Sequence, residues 1–290
     1  MNARFWKLAT SLVAVCSMMA GCEDNGDKGS GNFKSESFSP ISASTEKGET
    51  GTLRWVYRIN GGEPITASVD GQTVRMSFAD LPLTIDPSNL KRQGELTATI
   101  ASPISGNIGT VFEEALVADS SRTLVVSQHI ALNGNLDQDG EKAEFALTID
   151  AVPSHALEWF LDRKDLDGLP IGYTLSDRNV RATVAFSGSI SISGMGTQPI
   201  HGSSPAQYDE VWTVMSKLAS MTVNGKEYAN VVQVNRQTMV PNIGLTTSSP
   251  QVQTITYWVA KGVGMIKGTG QFTMLGQPLQ VELIETNLAP

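Results

Sequence analysis

The chain has 290 residues, enough for one large domain or two modest ones with a substantial core, and a formal net charge of −8 from 21 Lys and Arg against 29 Asp and Glu. An acidic chain is repelled by nucleic acid and by anionic lipid headgroups, which argues against both as direct electrostatic partners. Its two cysteines, Cys16 and Cys22, fall at the start, so the rest of the chain holds no disulfide, thiolate metal site or cysteine nucleophile.

The first segment, MNARFWK, carries Arg4 and Lys7 and is followed by the apolar run LATSLVAVCSMMA. A basic stretch before a short apolar run is the layout of a signal peptide, and the run is too short to cross a bilayer as a helix. Its end, Met19-Ala20-Gly21-Cys22, resembles the lipobox of exported bacterial lipoproteins, with Met19 where leucine is usual. The resemblance implies that residues 1–21 are removed, that the Cys22 thiol takes a diacylglyceryl group and that its new amino group is acylated. The alternative is an ordinary secretory peptide cut near Ala20 or Gly21, leaving Cys22 as a free thiol. Residues 22–50 have almost no apolar content and are expected to form a flexible tether. The implied partner is a membrane reached through Cys22, and the implied location is the bacterial cell envelope, on the periplasmic side or at the cell surface. Removing Arg4 and Lys7 takes the formal charge from −8 to −10.

The body, residues 51–290, reads mostly with period two. Leu53, Trp55, Tyr57 and Ile59 share one face of a strand, and Arg54, Arg58 and Asn60 the other. Ile65, Ala67 and Val69 lead into a turn at Asp70-Gly71, with Val74, Met76 and Phe78 returning. Leu96, Ala98 and Ile100 mark the next strand. Leu124, Val126, Ile130 and Leu132 mark another, interrupted by Gln128, and Ala143, Phe145, Leu147 and Ile149 answer it across a long polar loop, NGNLDQDGE. SHALEWFLDRKDLDGLP spaces Ala156, Trp159 and Phe160 as in a helix and ends at Gly168 and Pro170, so a short helix is expected. A domain sub-boundary is weakly marked near residues 151–155, AVPSH. Ala182, Val184, Phe186, Ile190 and Ile192 then alternate. SPAQYDEVWTVMSKLASMTV suits a helix opened by Ser204-Pro205 or a strand, and strand is preferred. Asn224-Gly225 is a type I′ hairpin turn, VPNIGLTTSSPQ a long loop, and TITYWVA, VGMIKGTGQF and PLQVELIE close the chain as strands. The expected fold is mainly all-β: a curved antiparallel sheet, half-barrel or sandwich, with one or two short helices.

TITYWVAKGVGMIKG resembles a hairpin that recurs near the C-terminus of exported bacterial lipoproteins of unknown role. Tyr257, Trp258, Ala260, Gly262, Val263, Gly264 and Lys267 carry the likeness, and Val259 stands where a larger aromatic is common. The resemblance covers about the last 80 residues and implies a curved sheet whose concave face holds something greasy. The residues also explain themselves: Lys261-Gly262 closes a turn, and Gly264 lets a large ring lie against the backbone. Tyr257 and Trp258 point to opposite faces, and both are ligand-contact candidates.

Asn135, Asp137 and Asp139 repeat the alternating oxygens of a calcium loop, but Ala146 stands where its closing acid belongs, so an acidic hairpin tip is the plainer reading. His129, His155 and His201 show no metal spacing. Ser203 and Ser204 lie outside any nucleophile elbow, and Glu113-Glu114 point in different directions. No catalytic residue, metal or cofactor is assigned. Three functions remain: a lipid-anchored, non-catalytic module binding an apolar ligand such as lipid or an envelope partner, a structural or interaction lipoprotein with a filled core, and, least favoured, a hydrolase. A concave apolar pocket points to the first, a packed interior to the second, and converging Ser, His and Asp to the third.

Overall fold

The structure is a computed structural model, and it describes residues 33–34, 37–41, 51–69, 72–101, 104–118, 121–240, 251–272 and 277–289. Residues 1–21, expected as a signal peptide, Cys22, the expected turn at Asp70-Gly71 and the expected loop at 241–250 lie outside the described residues.

Twelve antiparallel strands form a closed barrel in simple chain order. They are β1 Leu53–Ile59, β2 Leu81–Asp86, β3 Lys91–Ala101, β4 Ser105–Ala118, β5 Thr123–Gln138, β6 Glu141–Pro153, β7 Thr174–Ile192, β8 Gly196–Val223, β9 Lys226–Val240, β10 Gln251–Ala260, β11 Gly264–Phe272 and β12 Gln277–Thr286. Closure is made by β12 on β1, with Val281 opposite Ile59 and Leu283 opposite Tyr57. Consecutive hairpins need no crossover, which is why a meandering chain rich in turns closes this way. An accessory hairpin, Ile65–Val69 and Gln72–Phe78, lies along the end of β3 beyond the reach of β2. One sheet runs across residues 151–155, where Val152 and Pro153 pair with Thr183 and Ala182. Among the described residues no helix is long and apolar enough to cross a membrane.

Strand alternation sorts residues into lumen and outer wall. Leu96, Ala98 and Ile100, then Ala143, Phe145, Leu147 and Ile149, are buried inside the barrel, as are Leu53, Trp55, Tyr57 and Ile59. Two elements differ from the sequence reading. In β5 the register slips between Ser127 and Val125, so Thr123 and Val125 face inward and Leu124 and Val126 do not. One extra residue in a strand exchanges its faces. The expected long loop at NGNLDQDGE is a two-residue turn: pairing continues to Gln138 opposite Glu141, and Asp139 and Gly140 take φ of 56° and 85°. At the far side, Asn224 and Gly225 form the expected turn, with φ of 48° and 74°.

Gly134 of β5 stands where Phe145 crosses from β6. A Cβ at Gly134 would lie 2.7 Å from that ring and 2.6 Å from the Asn107 carbonyl oxygen. Gly134→Leu should therefore cost about 1–3 kcal/mol of unfolding free energy, the usual range for overpacking, read as a lower urea midpoint at unchanged m-value. Gly134→Leu at the wild-type midpoint would show that the wall yields there.

Candidate functional site

The chain between β6 and β7 does not form the expected helix. Leu157 and Glu158 pair briefly with Val125 and Leu124 of β5, and a single 3₁₀ turn follows at Phe160–Asp162. The Trp159 N–H donates to the Thr123 carbonyl at 2.8 Å, and the Lys164 N–H to the Ser121 carbonyl at 2.9 Å. Backbone hydrogen bonds to Thr123 and Ser121 on either side limit the segment to that one 3₁₀ turn, so the helical spacing of its apolar residues serves insertion instead. Phe160, Leu161, Asp162 and Leu166 are buried in the barrel.

Inside, Phe160 stacks on Trp212 at 5.7 Å and on Tyr173 at 6.3 Å. Trp159 meets Trp212 edge-on at 5.9 Å, and Tyr257 lies 5.8 Å beyond it. Each such contact contributes about 0.5–1.5 kcal/mol beyond burial. Charges complete the stack. The Arg92 guanidinium lies 4.1 Å over the Trp159 ring and donates to Glu114, which also accepts from Gln128 at 2.5 Å. Glu210 accepts from the Trp212 indole at 2.6 Å and from Arg236 at 3.1 and 3.2 Å. Neither Arg92 nor Glu114 is more than 2% exposed, and each is paired, as buried charges must be.

Asp162 is the pivot of this end of the lumen. Its Oδ2 accepts from the Thr123 hydroxyl at 2.5 Å and the Ser39 hydroxyl at 2.8 Å. Burial pushes its carboxyl up to about 7, against the opposing pull of Thr123, Ser39, the Ile41 backbone and Arg92. Ser39 belongs to the segment assigned above to a flexible tether. That assignment is corrected for residues 37–41: Phe38 and Ser39 are fully buried and Ile41 is 2% exposed, so Phe38 and Ile41 supply core that the polar composition around them conceals. The Gly262 N–H donates to the Ser37 carbonyl at 2.8 Å. Gly264 takes a φ of 87°, which favours glycine, and it packs beside Trp55 and Pro40, which a Cβ there would meet at the ordinary contact distances of 3.7 and 3.8 Å. The Trp55 indole donates to the Val263 carbonyl at 2.6 Å and the Tyr57 hydroxyl to the Met265 carbonyl at 2.8 Å. The Gly262-Val263-Gly264 turn is thus a seat for the N-terminal segment. Between segment and lumen lies a cavity of about 50 Å³, bounded by Ile41, Trp55, Tyr57, Arg92, Trp159 and Asp162. It has room for a few water molecules, at roughly 10–15 Å³ each.

The other candidates lie elsewhere. Tyr257 is buried in the lumen, while Trp258 faces outward beneath Lys267, at 5.9 Å, which pairs with Glu282 at 2.7 Å. Asn135 and Asp137 are strand residues opposite Glu144 and Lys142, and the Asp137 carboxylate accepts from the Gly140 N–H at 3.1 Å. Among the described residues no three His, Cys, Asp or Glu converge as a metal site. Glu113 faces outward toward Lys91, and Glu114 inward. His129 pairs with Asp150 on the outer wall at 2.6 Å. The structure does bring one Ser, His and Asp together: Ser154 Oγ lies 3.3 Å from His155 Nδ1, and His155 Nε2 lies 2.8 Å from Asp177. His155 is about half exposed, the Ser154 hydroxyl contacts its own sequence neighbour, and the cluster sits on the outer wall away from the cavity.

Arg92, Glu210 and Arg236 were not singled out in the sequence although their parity with Leu96, Trp212 and Val234 placed them inward, and Glu114, considered there only as half of a carboxylate pair, shares the inward parity of Phe112. Asp162 and Ser39 left no such signal. No protein-family model, curated protein or solved structure matches the chain.

Two measurements test this arrangement. The Asp162 carboxyl moves from the usual 3.8 to about 7 on folding, so the folded chain holds this proton to higher pH than the unfolded chain. Its contribution to stability is therefore greatest at acid pH, falls between about pH 4 and 7 and is least above that. Asp162→Asn should gain on wild type in urea stability as pH rises from 5 to 8, while a difference constant with pH would refute a shifted carboxyl. Separately, Arg92→Met should cost about 3–5 kcal/mol by stranding Glu114, and Arg92→Met with Glu114→Leu should recover most of it.

Proposed function

We propose that this chain is a lipid-anchored lipoprotein of the bacterial cell envelope, a non-catalytic module that presents a filled barrel to an envelope protein rather than carrying lipid inside it. The observation that carries the choice between partner and cargo is the lumen. At the Asp162 end its width is taken up by Phe160, Trp212, Tyr257 and two Arg–Glu pairs, and among the described residues the space there is about 50 Å³. A pocket for a lipid-sized ligand measures roughly 300–1,000 Å³. The anchor reading rests on Met19-Ala20-Gly21-Cys22 and the basic, then apolar, residues before it. It is also supported by the outer wall, which carries Glu113, His129, Asp150, Thr148, Lys267 and Glu282, where a wall lying in lipid would be apolar.

The test is native mass spectrometry of the full chain extracted from its own membrane, alongside Cys22→Ala. The expected mass is the chain from Cys22 plus covalent acyl groups, with Cys22→Ala unacylated and found in the soluble fraction. A lipid that stays bound until denaturation would restore the carrier reading. An unacylated wild-type chain would overturn the anchor.

A further inference from the structure

The segment Ser37–Ile41 sits in the barrel mouth as a ligand sits in a receptor. It joins no strand of the barrel, and the first barrel strand begins at Leu53, beyond it in sequence. Its recognition is complete nonetheless. Phe38 is fully buried, Ser39 reaches Asp162, the Ile41 backbone is held by the same carboxylate, and the Ser37 carbonyl is taken by Gly262. Pro40 rests beside Gly264 of the turn. The receptor half draws on three distant parts of the chain: β1, the Trp159–Asp162 insertion and the Gly262–Gly264 turn.

We propose that this mouth is a peptide-binding site, closed in cis by residues 37–41, which accepts in trans a short segment of a protein partner. The partner segment has the occupant's chemistry: an aromatic residue, then a hydroxyl for Asp162, then proline and a branched apolar residue. Pro40 and Ile41 form part of the cavity wall, so their withdrawal enlarges the cavity of about 50 Å³. Trp55, Tyr57, Leu83 and Trp159 would then line an apolar slot, with Arg92 and Asp162 as its polar groups. An internal segment that occupies the site most of the time lowers apparent affinity for the partner by the fraction of sites left open. This inference deepens the interaction reading by naming the partner's chemistry. The acylation of Cys22 is independent of it, so failure of one leaves the other standing.

The experiment uses the chain from residue 23 onward and a fluorescent synthetic peptide, FKSESFSPIS, which repeats residues 33–42. Wild type should bind the peptide weakly, and Phe38→Ser, which loosens the internal occupant, at least 10-fold more tightly. A peptide with alanine at the place of Ser39 should bind Phe38→Ser several-fold less well. Should Phe38→Ser fail to fold, a protease site introduced at residues 44–47 supplies the second route: after cleavage in the folded protein, the labelled peptide should exchange into the mouth. A folded Phe38→Ser chain with no gain in binding, or a cleaved chain that never exchanges, overturns the proposal. So does reciprocal dimerisation of Phe38→Ser with wild type without binding of the free peptide, which would make the mouth a contact between copies.

Discussion

A barrel of twelve strands has to be filled. Around eight strands, wall side chains meet across the axis and the interior closes on itself; with more strands the diameter grows and the wall alone leaves a channel. Here the wall contributes Trp55, Tyr57, Phe112, Trp212 and Tyr257, and the remaining width is taken by chain that belongs to no barrel strand. The insertion before β7 delivers Trp159, Phe160 and Leu161, and the N-terminal segment delivers Phe38 and Ile41. The stacked aromatics, the ordering of both segments and the site beside Asp162 all follow from that geometric demand.

Filling a lumen from two sides with segments that must also satisfy their own backbones brings polar groups inside. The barrel handles this by pairing. Arg92 meets Glu114 and Gln128, Arg236 meets Glu210, and each guanidinium also lies over a tryptophan ring, Trp159 or Trp212. Such pairs contribute little net stability compared with apolar residues of the same volume. They fix orientation instead, because planar forks and rings accept few arrangements. Asp162 differs: it is buried among hydroxyl donors, with the nearest guanidinium already committed to Glu114. Burial raises its carboxyl to about 7 against the pull of those hydroxyls, so the two inserted segments are joined through a group that titrates near neutral pH.

The hairpin at Tyr257–Lys267 gains a physical explanation from the same arrangement. Tyr257 extends the aromatic stack inward, Gly262 and Val263 supply a donor and an acceptor to Ser37 and Trp55, and Gly264 takes the positive φ of the turn beside Pro40. A pattern that reads in sequence as a tight turn between two strands is, in the folded chain, half of a binding surface for residues 37–41. Trp258 and Lys267 on the outer face belong to a separate polar surface with Glu282.

Local alternation determined most of the wall. The runs through Leu53–Ile59, Leu96–Ile100, Ala143–Ile149, Ala182–Ile192 and Leu279–Leu283 place their apolar residues inside as period two requires, and Asn224-Gly225 turns where its backbone preference dictates. These signals are legible because each depends on neighbours two residues apart or on one dipeptide. Closure into a barrel depends on β12 meeting β1 across more than 200 residues, and no local pattern encodes it. The slip in β5 turns on a single unpaired residue, and the insertion at Trp159–Asp162 is held to one 3₁₀ turn by Thr123 and Ser121 on either side rather than following its own helical spacing. Phe38 and Ile41 look solvated because the residues around them are polar, and only the shape of the lumen made them core. The sequence by itself determined which face of each strand is apolar; the tertiary structure decided how wide the resulting barrel is, and therefore which distant segments must enter to fill it.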